Sequence, residues 1–210
     1  MKEVIDELRK ELGNTTLVAV SKTKPNEDIL KAYKYGIRDF GENYVQELIT
    51  KMDTLPKDIK WHMIGHLQTN KVKELVKRDI YLIESVDSIK LVQTINKEAI
   101  KNNKIINILI EVNIANDDNK TGCSIDDLNN LIKESNNLSN IKLLGLMAIG
   151  PHTENASKIR ACFKRMKALK NQYKLDLLSM GMSSDYKLAI EEGSNIVRIG
   201  SKIFGERLYK

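Results

Sequence analysis

Cysteine, proline and aromatic residues are all scarce in this chain: two cysteines, three prolines and 5% aromatic side chains in 210 residues. Cys123 and Cys162 lie far apart and belong to no paired spacing, which excludes a thiolate metal site or a dithiol redox motif. No apolar run approaches the roughly 20 residues that a membrane span needs. The opening segment, Met1-Lys2-Glu3-Val4-Ile5-Asp6, lacks the apolar stretch of a signal peptide. These absences point to a cytoplasmic protein without a membrane partner. Charge is plentiful, at 30% of residues with a net +6, and it favours anionic ligands. The basic residues are interspersed with acidic ones, as on solvated helix faces, and no nucleic-acid motif accompanies them, so no nucleic-acid partner is expected. With 41% hydrophobic residues the chain can bury one sizeable core, and a single domain over 1–210 is expected.

Apolar periodicity alternates between the strand and helix repeats along the whole length. Val4, Ile5, Leu8 and Leu12 predict a helix over 3–12 that stops at Gly13. A strand over 17–22 follows, then a helix capped by Asn26 and ended at Gly36. Further strands are predicted over 37–43, 61–65, 80–86, 105–114, 143–149, 177–181 and 196–200, with helices between them. Strict alternation implies parallel strands covered by helices. Eight units point to an α/β fold built as one TIM-type (β/α)8 barrel, near its lower length limit of about 200 residues. Little chain follows the eighth strand, so the N-terminal helix is expected to cover the gap. The rival is an open doubly wound sheet with a nucleotide site, but the first strand–helix turn lacks G-x-G-x-x-G.

Barrel sites lie at the C-terminal strand ends. The first strand runs Leu17-Val18-Ala19-Val20 into Ser21-Lys22-Thr23-Lys24-Pro25. Val18, Val20 and Lys22 share one face, so Lys22 either emerges from an apolar wall or leaves the strand for solvent. A buried amine must be paired, neutral or covalently capped. Lys24 is the alternative amine, but it lies beyond the strand end and reads as solvated. The seventh and eighth strands end in Met180-Gly181-Met182-Ser183-Ser184-Asp185 and Arg198-Ile199-Gly200-Ser201. Glycine-rich backbone and hydroxyls at these two ends suit a phosphate, although each serine alone could be only a helix cap. An inward lysine opposite a phosphate site suggests a phosphorylated aldehyde held as a Schiff base, and pyridoxal 5'-phosphate is the obvious candidate.

Six stretches then resemble the pyridoxal-phosphate homeostasis proteins, small barrels similar to the barrel domain of alanine racemase. They are AVSKTKP at 19–25, FGENYVQE at 40–47, WHMIGHLQTNK at 61–71, GLMAIG at 145–150, SMGMSSD at 179–185 and VRIGSKIFGER at 197–207. The resemblance implies Lys22 as the Schiff-base lysine, Arg198 facing the pyridine nitrogen, and Ser183, Gly200 and Ser201 on the phosphate, with Asn43 beside the ring. It implies pyridoxal 5'-phosphate as cofactor and a monomer acting in vitamin B6 and amino-acid homeostasis, with pyridoxal-phosphate-dependent apo-enzymes as candidate partners. Tyr186 and Lys187, within the helix after the seventh strand, read as solvated and away from the ligand.

An arginine at the pyridine nitrogen opposes its protonation and weakens the cofactor as an electron sink. Racemases of similar barrel type place an arginine there too, but add a tyrosine base from a separate domain. The chain ends at Lys210, soon after the eighth strand, and Tyr209 is a poor substitute. A carrier or buffer without catalytic residues is therefore expected, the alternative being a racemase or lyase of low activity. No metal site is expected: His62 and His66 are four apart but span a strand end. His152 and Lys120 read as loop surface, and Asp117-Asp118 lacks the spacing of a calcium loop.

Overall fold

The computed structural model describes residues 1–115, 117 and 121–205. Asp118, Lys120 and Tyr209, singled out above, lie outside the described residues, as do 206 and 207 of the last matching stretch. The elements run α1 (Lys2–Leu12), β1 (Thr16–Val20), α2 (Asn26–Lys34), β2 (Asp39–Glu42), α3 (Val45–Thr54) and β3 (Lys60–Met63). There follow α4 (Thr69–Val76), β4 (Leu82–Val86), α5 (Ile89–Lys101), β5 (Ile106–Glu111), α6 (Ile125–Asn137) and β6 (Ile141–Met147). The last are α7 (Ala156–Gln172), β7 (Leu177–Ser179), α8 (Tyr186–Glu191), β8 (Ile196–Ile199) and α9 (Ser201–Phe204). The eight strands pair in parallel and in sequence order, and β8 pairs with β1 to close the barrel. The (β/α)8 barrel expected from the alternation is the fold observed.

Alternation along each strand divides the apolar residues into two cores. Val18, Leu82, Leu109, Met147 and Ile196 pack inside the barrel. Their strand neighbours Ala19, Ile83, Ile108, Ile110 and Val197 face outward against the helices. Both faces of the sheet are thus buried, as parallel strands require.

Helix α1 buries Ile5, Leu8 and Leu12, which recur every three to four residues. It packs against β1 and the single-turn α9, filling the gap after β8. Glu11 at its C-terminal end accepts hydrogen bonds from Tyr186 and Lys187 of α8, and Lys202 Nζ donates to the Tyr186 hydroxyl at 2.9 Å. Tyr186 is therefore buried, a correction to its expected solvation: Glu11 and Lys202 satisfy its hydroxyl, and Lys202 Nζ lies 4.8 Å from the ring centroid. Lys187 is exposed, as expected.

Two boundaries also differ from expectation. β1 ends at Val20, and Lys22 lies in the following turn, closed by Lys24 N–H donating to Ser21 O at 3.0 Å. Pro25, not Asn26, occupies the cap position of α2, and the Asn26 amide donates instead to Thr54 Oγ1 at 3.2 Å.

The β5–β6 register slips between Ile108 and Leu109, so that Leu109 pairs with Gly145. A Cβ on Gly145 would lie 1.9 Å from the carbonyl oxygen of Leu177 on β7. Backbone cannot give way as a flexible side chain can, so Gly145→Ala must pry β6 from β7. We expect a loss of about 3 kcal/mol of stability in urea unfolding; a change within about 0.5 kcal/mol, the scale of an ordinary surface substitution, contradicts this packing.

Candidate functional site

The β1–β8 pairing sets Val18 beside Arg198, and with it the C-terminal ends of these strands. Above that level Val20, Lys22, Lys24, Ser183, Ser184, Arg198, Gly200 and Ser201 line a cavity of about 340 Å³. A Cβ on Gly200 would come within 3.1 Å of the Val20 carbonyl oxygen, so a glycine lets β8 approach β1 closely at the rim. The described lining carries three cationic side chains and three serine hydroxyls, and no carboxylate, histidine, cysteine or tyrosine. That donor set matches a small anion carrying a phosphate. Lys24, read above as solvated, is half-buried and donates to Phe204 O at 3.0 Å, tying the turn after β1 to the end of α9.

Arg198 forms the cavity floor and is almost fully buried. Its Nη2 donates to Ala148 O at 2.9 Å and its Nη1 to Ser179 Oγ at 2.6 Å. Ser179 in turn donates to Glu84 Oε2 at 2.5 Å, which lies 3.9 Å from Arg198 Nη1. Burial lowers the arginine pKa against the opposing pull of Glu84, Glu111 and Asp185; arginine nonetheless stays charged in proteins. Burial also works to raise the Glu84 pKa, but hydrogen bonding and charge from His62, with Arg198 and Ser179, hold it below the usual carboxylate value. Glu111 accepts from Thr121 Oγ1 at 2.6 Å, and burial pushes it toward the neutral acid.

Glu84 Oε1 faces His62 Nδ1 at 2.7 Å, and His62 Nε2 faces Asp39 Oδ1 at 3.1 Å. Burial alone favours a neutral ring, but the two carboxylates outweigh it and hold the His62 pKa above the ordinary histidine value.

A second buried ion system sits outside the sheet. Lys51 of α3 donates to Ser21 O at 2.9 Å, to Glu42 Oε1 at 2.7 Å and to Glu47 Oε1 at 2.6 Å. Ser21 Oγ also donates to Glu42 Oε1, and Thr23 N–H to Glu47 Oε1 at 2.7 Å. Thr23 has φ +65°, a conformation costly for a β-branched residue and sustained here by these bonds. The residues flanking Lys22 are thus held on both sides.

Of the residues singled out in the sequence, Lys22, Ser183, Arg198, Gly200 and Ser201 come together in the one cavity. Asn43 does not join them. It lines a neighbouring cavity of about 520 Å³ at the ends of β2 and β3, with the exposed Tyr44, His66 and Lys71. His62 and His66 diverge: the former is buried in the barrel, the latter exposed beside Asp87. Sequence reasoning missed the floor beneath Arg198. Its signal was a repeated step of two, from Leu82 to Glu84, Leu177 to Ser179 and Ile196 to Arg198, each placing a polar group above an inward apolar one. It also missed Lys51, whose only trace was Glu47 one helical turn earlier.

The family model of the alanine racemase N-terminal domain matches residues 1–208. A pyridoxal phosphate homeostasis protein of Aquifex aeolicus is 44% identical over 200 residues, covering 92% of this chain and 87% of its own. The structure of PipY from Synechococcus elongatus without PLP superposes with a TM-score of 0.90 at 36% identity, covering 97% of this chain and 99% of that one. PipY with PLP bound superposes with a TM-score of 0.89 at 35% identity and the same coverage.

Removing Lys51 leaves Glu42 buried and the turn unanchored, so Lys51→Met should cost about 3 kcal/mol, read in urea unfolding; a cost below about 1 kcal/mol shows the clamp to be dispensable. The raised His62 pKa also gives a pH prediction. Its stabilisation is complete below the unfolded value of about 6.5 and is lost as pH rises through the higher folded value. Unfolding free energy, measured from pH 6 to 9, should therefore fall across that window in the wild type and stay flatter in His62→Gln.

Proposed function

This chain belongs to the alanine racemase N-terminal domain family, with the pyridoxal phosphate homeostasis proteins among its relatives, and we propose that it binds pyridoxal 5'-phosphate in the cavity at the mouth of the barrel. The single observation that carries this reading is the composition of that cavity: Lys22 and Lys24 on the turn after β1, an arginine floor and a serine- and glycine-lined rim. The Lys22 amine is the group that condenses with the aldehyde, losing water to form a Schiff base. Arg198 meets the pyridine nitrogen, and Ser183, Gly200 and Ser201 take the phosphate. Asn43 lines a different cavity, so the contact with the ring that the resemblance implies is not part of this proposal.

The protein's role on this reading is to hold and release the cofactor in vitamin B6 and amino-acid homeostasis, with apo-enzymes that use the cofactor as recipients. Racemisation needs proton donors on both faces of the substrate carbon. Among the described lining residues the lysines are the only such candidates, and Lys24 is committed to the Phe204 carbonyl. A guanidinium at the pyridine nitrogen further limits carbanion stabilisation. Robust turnover is therefore absent on this reading. The protein acts as a monomer inside the cytoplasm, as one barrel domain. No helix among the described residues is long and apolar enough to cross a membrane.

Mixing the purified protein with pyridoxal 5'-phosphate should give a visible imine band that borohydride abolishes, with the reduced adduct mapping to Lys22. Lys22→Ala should stay colourless and lose affinity by about tenfold or more. An adduct on Lys24, or an unchanged spectrum in Lys22→Ala, refutes the assignment. Rapid racemised or deaminated product from added amino acids refutes the carrier role while leaving the binding site intact.

A further inference from the structure

The deepest polar feature of the molecule is a hydrogen-bonded chain through the barrel interior, from Arg198 through Ser179, Glu84 and His62 to Asp39. Its far end lies at the opposite mouth, where Asp39 lines a separate cavity with Arg9 and Arg38. An imidazole with both ring nitrogens against carboxylate oxygens is satisfied only when both carry protons. A neutral ring would turn one lone pair against a carboxylate in a water-excluded core, at high cost. Charge then alternates along the chain: Asp39 negative, His62 positive, Glu84 negative, Arg198 positive.

We propose that His62 is a positioning residue for the ligand cavity: as an imidazolium between Asp39 and Glu84, it holds the Glu84 carboxylate toward Ser179 and thereby fixes the Arg198 guanidinium at the floor. The proposal rests on the binding reading above for what Arg198 touches, but not for the chain itself. Glu84 has two anchors, one on each oxygen: His62 on Oε1 and Ser179 on Oε2. With the imidazolium removed, the carboxylate loses one anchor and its nearer counterion, and swings toward the guanidinium, drawing Arg198 down from the cavity. His62 is faced by Asp39 from β2, by Glu84 from β4 and by the Tyr81 ring, 5.3 Å away between centroids. Arg198 is faced by Glu84, by Glu111 from β5 and by Asp185 from the turn before α8. None of these other groups contacts Glu84 Oε1, so none substitutes for His62.

The test begins with ligand-free protein. Nitrogen-resolved NMR should find both His62 ring nitrogens protonated at pH 7, and the Arg198 guanidinium protons should exchange about tenfold faster in His62→Gln, the loss expected for one charge-assisted hydrogen bond. With pyridoxal 5'-phosphate, His62→Gln should bind about tenfold more weakly while borohydride still traps the ligand on Lys22 at saturation. Should that variant fail to fold, Asp39→Asn, which keeps the shape and removes one charge, should move the exchange and the affinity in the same direction by a smaller factor. A neutral His62 at pH 7, or Arg198 exchange and affinity both within twofold of wild type in a folded variant, overturns the proposal. Wild-type protein that binds no pyridoxal 5'-phosphate overturns the functional reading instead, and the ligand-free NMR still decides whether His62 fixes Arg198.

Discussion

A carboxylate at the centre of a closed barrel cannot remain charged unless cations reach both of its oxygens. Glu84 meets that condition through His62 on one side and Ser179 with Arg198 on the other. Everything at the mouth follows from how that condition is met. The inner face of a short parallel strand offers only two or three positions, and the lower ones are taken by Leu82, Leu177 and Ile196. The next inward step on each of those strands is polar, so a polar layer lies directly on an apolar one. Arg198 is the top of that layer, and burial among fixed partners leaves its guanidinium a single orientation.

The second ion system answers a different need. The turn after β1 must present Lys22 at the rim while Thr23 adopts a left-handed backbone, and nothing in the local sequence favours that conformation. Lys51 and Glu47 supply the missing energy from α3, through the Ser21 carbonyl and the Thr23 amide. Burying Lys51 and Glu42 between sheet and helix is costly, which is evident in the raised pKa of Glu42, driven by desolvation against the pull of Lys51 and Ser21. One Glu42 oxygen is left without a hydrogen-bond partner among the described residues. The pair is better understood as fixing geometry than as adding net stability.

The barrel was legible because helices and strands alternate without interruption, and because strand ends in such a barrel have a known location. Lys22, Ser183, Arg198, Gly200 and Ser201 could be gathered from that rule before any coordinates, and they do share a cavity. The pairing of the floor was not legible, since Glu84 and Ser179 are 95 residues apart and strand register across a closed barrel is invisible in a linear chain. His62 was misleading for a related reason. Its spacing from His66 across a strand end argued against a metal but gave it no other role, and in the fold the strand turns the His62 ring inward while the following loop carries His66 to the surface. Tyr186 was misread because Glu11, the acceptor for its hydroxyl, lies at the other end of the sequence.

The same polar layer bears on how the proposed site would favour binding over chemistry. A cofactor ring becomes an electron sink when a carboxylate stabilises a proton on its nitrogen. Here Glu84, in the same polar layer as the guanidinium, is already held by His62 and Ser179. Glu111, the other acid of the upper interior, is pushed toward its neutral form by burial. The charge presented to the cavity is therefore cationic, with Glu84 already engaged by His62 and Ser179 and Glu111 shifted by burial toward its neutral form. With the ligand seated as proposed above, such a floor would attract its phosphorylated ring and resist protonation of the ring nitrogen. On the proposed reading, holding the ligand and leaving it weakly activated would both follow from this one arrangement of charge.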